Sequence, residues 1–199
     1  MIENILKKYQ LCLIDCIQSF DWSPVCKLAS DILMAWKEGK HIFLCGNGGS
    51  AANAIHIAND FLFPFTKKDR EGLKVTALPA NQAVLTCLGN DIGYENIFSF
   101  QLQTLSTKGD ILIALSGSGN SQNILNAVNT AKKMKVKSYA ILGFNGGKCL
   151  SLADVAIHFS VDDMQIAEDL QLMVGHMLMQ WFKAEVENTD ERKNSSNRK

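Results

Sequence analysis

The stretch FLCGNGGSAANAIHIANDF, residues 43–61, passes from an apolar segment through three glycines and a serine into a helical pattern that carries His56 and Asp60. Its head, HIFLC at 41–45, is short, mostly apolar and followed by glycine, as expected of a strand buried in a parallel sheet. Residues 46–50 allow positive φ and close backbone approach. Small residues and helix formers follow, with Ser50 placed as an N-cap. Strand, glycine turn and helix N-terminus gather free N–H groups and the positive end of a helix dipole at one point, which suits an anion. A tight βα turn without a ligand uses the same residues. The spacing matches neither G-x-G-x-x-G nor G-x-x-x-x-G-K-[ST], so it supports neither a dinucleotide fold nor a Walker loop.

Working outward, strand-like runs recur at 73–79, 109–116, 137–144 and 153–160. Helical patterns lie between them at about 51–62, 82–88, 96–105 and 121–134, and a long one closes the chain at about 165–186. Two helices lead, at 2–20 and 23–39, the second with Ser23 as cap, Pro24 in its first turn and Gly39 at its end. Alternating strands and helices predict an α/β chain: three layers, with a five-stranded parallel sheet covered on both faces. One domain is expected over 1–199, divided into a leading helical pair (1–39), the sheet and its helices (40–187) and a polar, frayed tail (188–199). The leading helices carry more apolar surface than covering such a sheet requires, which predicts a homo-oligomer.

Twenty basic residues balance twenty acidic ones, which removes the electrostatic case for nucleic acid as the main ligand. No apolar run approaches the ~20 residues of a membrane span, and the start MIENILKKYQ lacks a signal-peptide core. A cytoplasmic protein is expected. Its six cysteines form no CxxC pair and read as reduced, mostly buried small hydrophobes.

A second turn, ALSGSGNSQNIL at 114–125, follows the third strand. Ser116, Ser118 and Ser121 offer hydroxyls, Gly117 and Gly119 free the backbone, and a helix begins near Ser121. Hydroxyls plus helix N-terminal amides suit a phosphate without a lysine. Two such turns at strand carboxyl ends point to a phosphorylated small molecule, since ligands of open α/β sheets bind there.

GNGGSAANAIHIAND, GNDIGYENIFSFQL, KGDILIALSGSGNS and the closing helix with Gly175-His176 together resemble the sugar isomerase (SIS) fold, a flavodoxin-like arrangement. Within it they are most similar to sedoheptulose 7-phosphate isomerases, the phosphoheptose isomerases. The resemblance spans nearly the whole chain in order. It implies substrate contacts at Asn47, Gly48, Gly49 and Ser50, at Asn90 and Asp91, and a phosphate cradle of Ser116, Gly117, Ser118 and Ser121. Gly117 stands where the family usually has threonine. The family's pocket histidine matches His56, its glutamate falls on Asp60, its later glutamine on Glu168 and its last histidine on His176. A further family histidine appears as Gln171.

The resemblance implies a zinc ion on His56, Asp60, Glu168 and His176, and a tetramer. Eight residues separate Glu168 from His176, roughly 12 Å along a helix. They meet at one point only if their side chains converge or come from different subunits, the latter placing the site at an interface. Aldose–ketose isomerisation through an enediol(ate) needs a base, a proton donor and oxyanion stabilisation. Asp60 or Glu168 is the expected base, His176 its acid/base partner, and His56 a ligand or electrophile. The implied reaction converts sedoheptulose 7-phosphate to D-glycero-D-manno-heptose 7-phosphate, a precursor of lipopolysaccharide or capsule heptose. Two alternatives stand beside it: a non-catalytic phosphosugar- or protein-binding relative of the replication-initiator-associated type, and an isomerase of another phosphosugar. The segment DFLFPF lacks an arginine that the family often carries there, leaving Lys67, Lys68 or Arg70 as basic contacts.

Overall fold

The computed structural model describes residues 1–63 and 71–196, the stretch from 188 onward as backbone only. Lys67, Lys68 and Arg70 lie outside the described residues. The elements follow the order α1 (Ile2–Ser19), α2 (Ser23–Lys37), β1 (His41–Cys45), α3 (Gly49–Leu62), β2 (Lys74–Ala77), α4 (Gln82–Asp91), α5 (Ser99–Leu105), β3 (Ile111–Ser116), α6 (Gln122–Met134), β4 (Lys137–Leu142), α7 (Cys149–Leu152), β5 (Val155–His158) and α8 (Met164–Ser196).

All five strands pair in parallel, in the order β2-β1-β3-β4-β5. Side chains alternate across the pleat, so each strand feeds two cores. Ile42 and Leu44 of β1, with Ile111, Ile113 and Leu115 of β3, face α2, α3 and α8. Phe43, Cys45, Leu112 and Ala114 face α5, α6 and α7. The result is the three-layer α/β/α architecture expected, with apolar residues on both faces of the central strands. The strand order reverses between β1 and β3. Their carboxyl ends therefore flank a crevice, and the glycine turn follows one while the serine turn follows the other.

Local chemistry moves several boundaries. Strand β2 stops at Ala77 because Pro79 cannot donate to a ladder, and residues 78–80 form a 3₁₀ turn. Asn81, not anticipated as a cap, accepts from Val84 N–H at 3.2 Å and starts α4. That helix runs through Asn90 and Asp91. Ser23 is the first residue of α2, not its cap. Asp21 takes both its N–H (3.0 Å) and its hydroxyl (2.7 Å). Ser50 likewise lies inside the first turn of α3, and Gly48 at φ +55° is the N-cap. Helix α7 was not expected, and α8 continues through the polar tail to Ser196 rather than ending near 186. Of the six free cysteines only Cys45 and Cys149 are fully buried, while Cys26 and Cys87 are exposed. Among the described residues no helix is long and apolar enough to cross a membrane.

Candidate functional site

The two turns open on one cleft of about 250 Å³ lined by Asn47, Gly48, Gly49, Ser50, Leu115, Ser116, Gly117, Ser118, Ser121, Met164 and Glu168. Positive φ at Gly48 turns the chain sharply from β1 into α3. The first N–H groups of α3 and of α6 have no partner within their helices, and both helix ends border the cleft. Ser121 is the N-cap residue of α6, yet its side chain makes no capping hydrogen bond. Ser116 Oγ accepts from Gly119 N–H at 3.1 Å, and Ser118 Oγ accepts from Asn120 N–H at 3.3 Å. Each hydroxyl keeps its own proton to donate.

Asn47 ties the turns together. Its side-chain amide exchanges two 2.9 Å hydrogen bonds with the buried Asn123 of α6, and its oxygen also accepts from Tyr94 OH at 2.9 Å. Asn90 and Asp91 do not line the cleft. They are exposed at the end of α4, where Asn90 donates to Asp91 at 2.8 Å and Cys87 Sγ approaches the same carboxylate at 3.5 Å. Gly117 has a physical reason. A Cβ there would stand 2.5 Å from Met164 Sδ, so the methionine occupies the space a larger side chain needs.

Helices α3 and α8 lie side by side and parallel. Gly49 packs on Glu168, Asn53 donates to the Glu168 carbonyl at 2.9 Å, Ile57 packs on Gly175, and His56 meets His176. Successive contacts thus advance along both helices in step. Gly175 is what lets them close, since a Cβ there would fall 2.5 Å from Ile57 Cγ1. The consequence is a trio: His56 Nε2 and His176 Nε2 are 3.0 Å apart, and Asp60 Oδ2 stands 3.5 Å from the first and 3.7 Å from the second. Both histidines are about half exposed, 49% and 45% by side chain, and Asp60 is less so.

The trio fits a metal. Ligands at 2.0–2.1 Å from a tetrahedral zinc stand roughly 3.3 Å from one another. His56, Asp60 and His176 present one donor atom each, all within 4.8 Å of one another, and they leave a coordination position open. Within the single chain Glu168 is not part of this group, so of the two routes expected for the four-residue set, convergence along one helix is not seen. It sits two helical turns earlier on α8, against Gly49 in the cleft. His41 and His158 serve the strands they sit on, bonded to Thr76 Oγ1 at 2.8 Å and to the Phe144 carbonyl at 3.0 Å.

Sequence reasoning missed Tyr94, Asn123, Met164 and Asn53. Asn123 follows the serine turn by two residues and Tyr94 lies in the GYENIFS segment, so both were within quoted motifs. Met164 and Asn53 gain their roles only through the packing of α8, which no local pattern announces.

The SIS domain family model matches residues 10–143. Phosphoheptose isomerase of Nitratiruptor sp. is 43% identical over 144 residues, 72% of this chain and 76% of that protein. The phosphoheptose isomerase of Clostridium acetobutylicum is 40% identical over 147 residues, 74% of each. Among solved structures, phosphoheptose isomerases from Neisseria gonorrhoeae and Francisella tularensis superpose with TM-scores of 0.84 and 0.86 at 26% and 25% identity. Both comparisons cover 92% of this chain, and 97% and 96% of those chains. Matched over most of its length in sequence and in fold, the chain belongs to the SIS domain family and falls in its phosphoheptose isomerase branch.

Proposed function

We propose that the protein is an aldose–ketose isomerase that converts sedoheptulose 7-phosphate to D-glycero-D-manno-heptose 7-phosphate, in the cytoplasm, for lipopolysaccharide or capsule heptose. The observation that carries this is the separation of two chemistries along α3 and α8. A cradle for phosphate lies at the amino-terminal end of both helices, and two imidazoles and a carboxylate lie two turns further on. The offset from Glu168 to His176, roughly 12 Å along the helix, suits an extended substrate whose phosphate and carbonyl are at opposite ends. Phosphate binds the serine turn through Ser116, Ser118 and Ser121 and the first amides of α6. The carbonyl end then reaches the trio.

There Asp60 takes the proton from the carbon next to the carbonyl, and His176 gives one to the carbonyl oxygen as the enediol forms. The return transfer puts that proton on the carbon that bore the carbonyl while the hydroxyl on the first carbon gives its proton back to His176, turning the ketose into the aldose. His56, 3.0 Å from His176, holds its ring in place and can relay the proton. This assigns the base to Asp60 rather than Glu168, because Glu168 shares the phosphate end of the cleft. Zinc on His56, Asp60 and His176 would take the place of the His176 proton in polarising the carbonyl oxygen, leaving the free oxygen of Asp60 as the base.

The half-exposed trio is bordered by exposed apolar residues: Ile55, Leu62 and Phe63 on or beside α3, Met177 and Trp181 on α8. This supports a homotetramer in which neighbouring subunits cover the site. The reading is tested by incubating the protein with sedoheptulose 7-phosphate in D₂O. Deuterium should enter at the first and second carbons at a rate that Asp60→Asn lowers by about 10²-fold or more, the contribution of a general base. Exchange at the wild-type rate in Asp60→Asn would remove the carboxylate from the chemistry.

A further inference from the structure

A phosphate site ordinarily carries a lysine or arginine. Among the described residues none lines this cleft, and the one ionisable side chain in it is a carboxylate, Glu168. That carboxylate is close-packed on the first residue of α3: a Cβ on Gly49 would lie 2.2 Å from Glu168 Oε2. Among the described residues no hydrogen bond or ion pair reaches the carboxylate, and it is only partly exposed. It lies apart from the trio of candidate ligands. An anion with no donor sits in the same small cleft as the hydroxyls that are to hold another anion.

Resting on the reading of this cleft as the phosphate end, we propose that Glu168 is a specificity filter. Its carboxylate repels bare phosphate. It admits a phosphate that arrives on a carbon chain whose neighbouring hydroxyl can hydrogen-bond to it. The repulsion is large on this scale. Two unit charges about 7 Å apart at an effective dielectric near 20 shift a binding constant by tenfold or more. A hydroxyl donated to an ionised carboxylate is a charge-assisted bond, about twice the strength of a neutral one, and it offsets the repulsion only for a polyhydroxylated ligand. Gly49 is the other half of the device, because any side chain there would displace the carboxylate from the cleft. Inorganic phosphate and phosphate esters that lack such a hydroxyl, competitors for any phosphate cradle, are thereby refused.

The test is calorimetric titration of the full chain with inorganic phosphate and with sedoheptulose 7-phosphate. Glu168→Gln keeps the shape and removes the charge. It should bind inorganic phosphate at least tenfold more tightly than the wild type, and the preference for sugar phosphate over inorganic phosphate should shrink by a similar factor. Glu168→Ala should also gain affinity for inorganic phosphate. A gain in affinity cannot come from a damaged fold. Unchanged or weaker phosphate binding in both variants overturns the filter. So does absence of phosphate binding in all three proteins, which also removes the phosphate from this cleft. Turnover of the heptulose phosphate by the wild type is scored separately. Isomerisation with unaltered phosphate affinity in Glu168→Gln sinks the filter and leaves the isomerase, and a gain in affinity without isomerisation does the reverse.

Discussion

Gly175 sets the distance between two imidazoles. It lies in the middle of α8, where glycine costs about 1 kcal/mol relative to alanine by helix propensity alone. Here that cost is offset by a contact: Ile57, itself buried, fills the place of the missing Cβ. Gly175→Ala should therefore destabilise the protein by about 1–3 kcal/mol through overpacking, the opposite of the usual gain, as measured by the urea midpoint. It should also part His56 from His176 and weaken zinc binding. His56→Ala and His176→Ala each leave two donors of three. Metal analysis should find zinc in the purified wild type and little in either variant, whereas Asp60→Glu, which keeps a carboxylate, should retain it. Acidification should release the metal from the wild type, since an imidazole must be neutral to coordinate. A metal-free wild type that zinc addition leaves unchanged would confine the trio to proton transfer. The turns were legible because glycines and serines follow apolar runs; His56, Asp60 and His176 came from the family resemblance, and the structure sets them side by side. Within one chain Glu168 stands apart from that trio, since eight residues on a helix set two side chains about two turns apart without saying which neighbour each one meets.

The elements join through side chains as well as the sheet. Asp31 of α2 receives Lys27 at 2.8 Å, and also Lys137 and Tyr139 of β4. Burial alone would raise its pKa, but hydrogen bonds from Lys137, Lys27 and Tyr139 and the charge of Lys137 outweigh it and hold the carboxyl below its ordinary value of 3.8. The same contact, after burial itself, drives the Tyr139 phenol up. A depressed carboxylate stabilises the fold fully above its unfolded pKa, and the contribution is lost as pH falls through the folded value. Asp31→Asn should thus cost about 1–3 kcal/mol at neutral pH. The difference from wild type should shrink in denaturation curves taken below about pH 4. Equal stability of the two proteins at neutral pH would show that the clasp is idle. Existence and order of the strands and longer helices were legible because short apolar runs, the mark of strands buried on both faces, alternate with helical patterns of period 3.6. Their ends were less so. Asp21 took the N–H of Ser23 where Ser23 was expected to cap α2, Asn81 capped α4 where no cap was foreseen, and Pro79 shortened β2. Short α7, one turn long, carries too few residues to show a period.

In the molecule as a whole, α1 supports the proposed assembly. It has no fully buried residue, and Ile2, Ile5, Leu6, Leu11 and Ile14 are exposed along it. Tyr9 anchors it by donating to Asp169 of α8, and burial together with that carboxylate pushes the phenol up to about 12. An apolar groove between α2 and α8, lined by Val25, Ala29, Met177, Leu178 and Trp181, continues the exposed surface toward the trio. Light scattering should give a tetramer at micromolar concentration, and Trp181→Glu with Leu6→Glu should dissociate it and abolish turnover together. A fully active monomer would refute the shared site. The proposed reaction moves a proton between the first two carbons of a seven-carbon sugar phosphate. The direct measurement is incubation of the purified wild type with sedoheptulose 7-phosphate beside a panel of hexose and pentose phosphates, with and without zinc, followed by NMR of the products. The account predicts that the heptulose phosphate alone is converted to its aldose isomer at a substantial rate. Conversion of a hexose or pentose phosphate in its place, or of none of them, would contradict it.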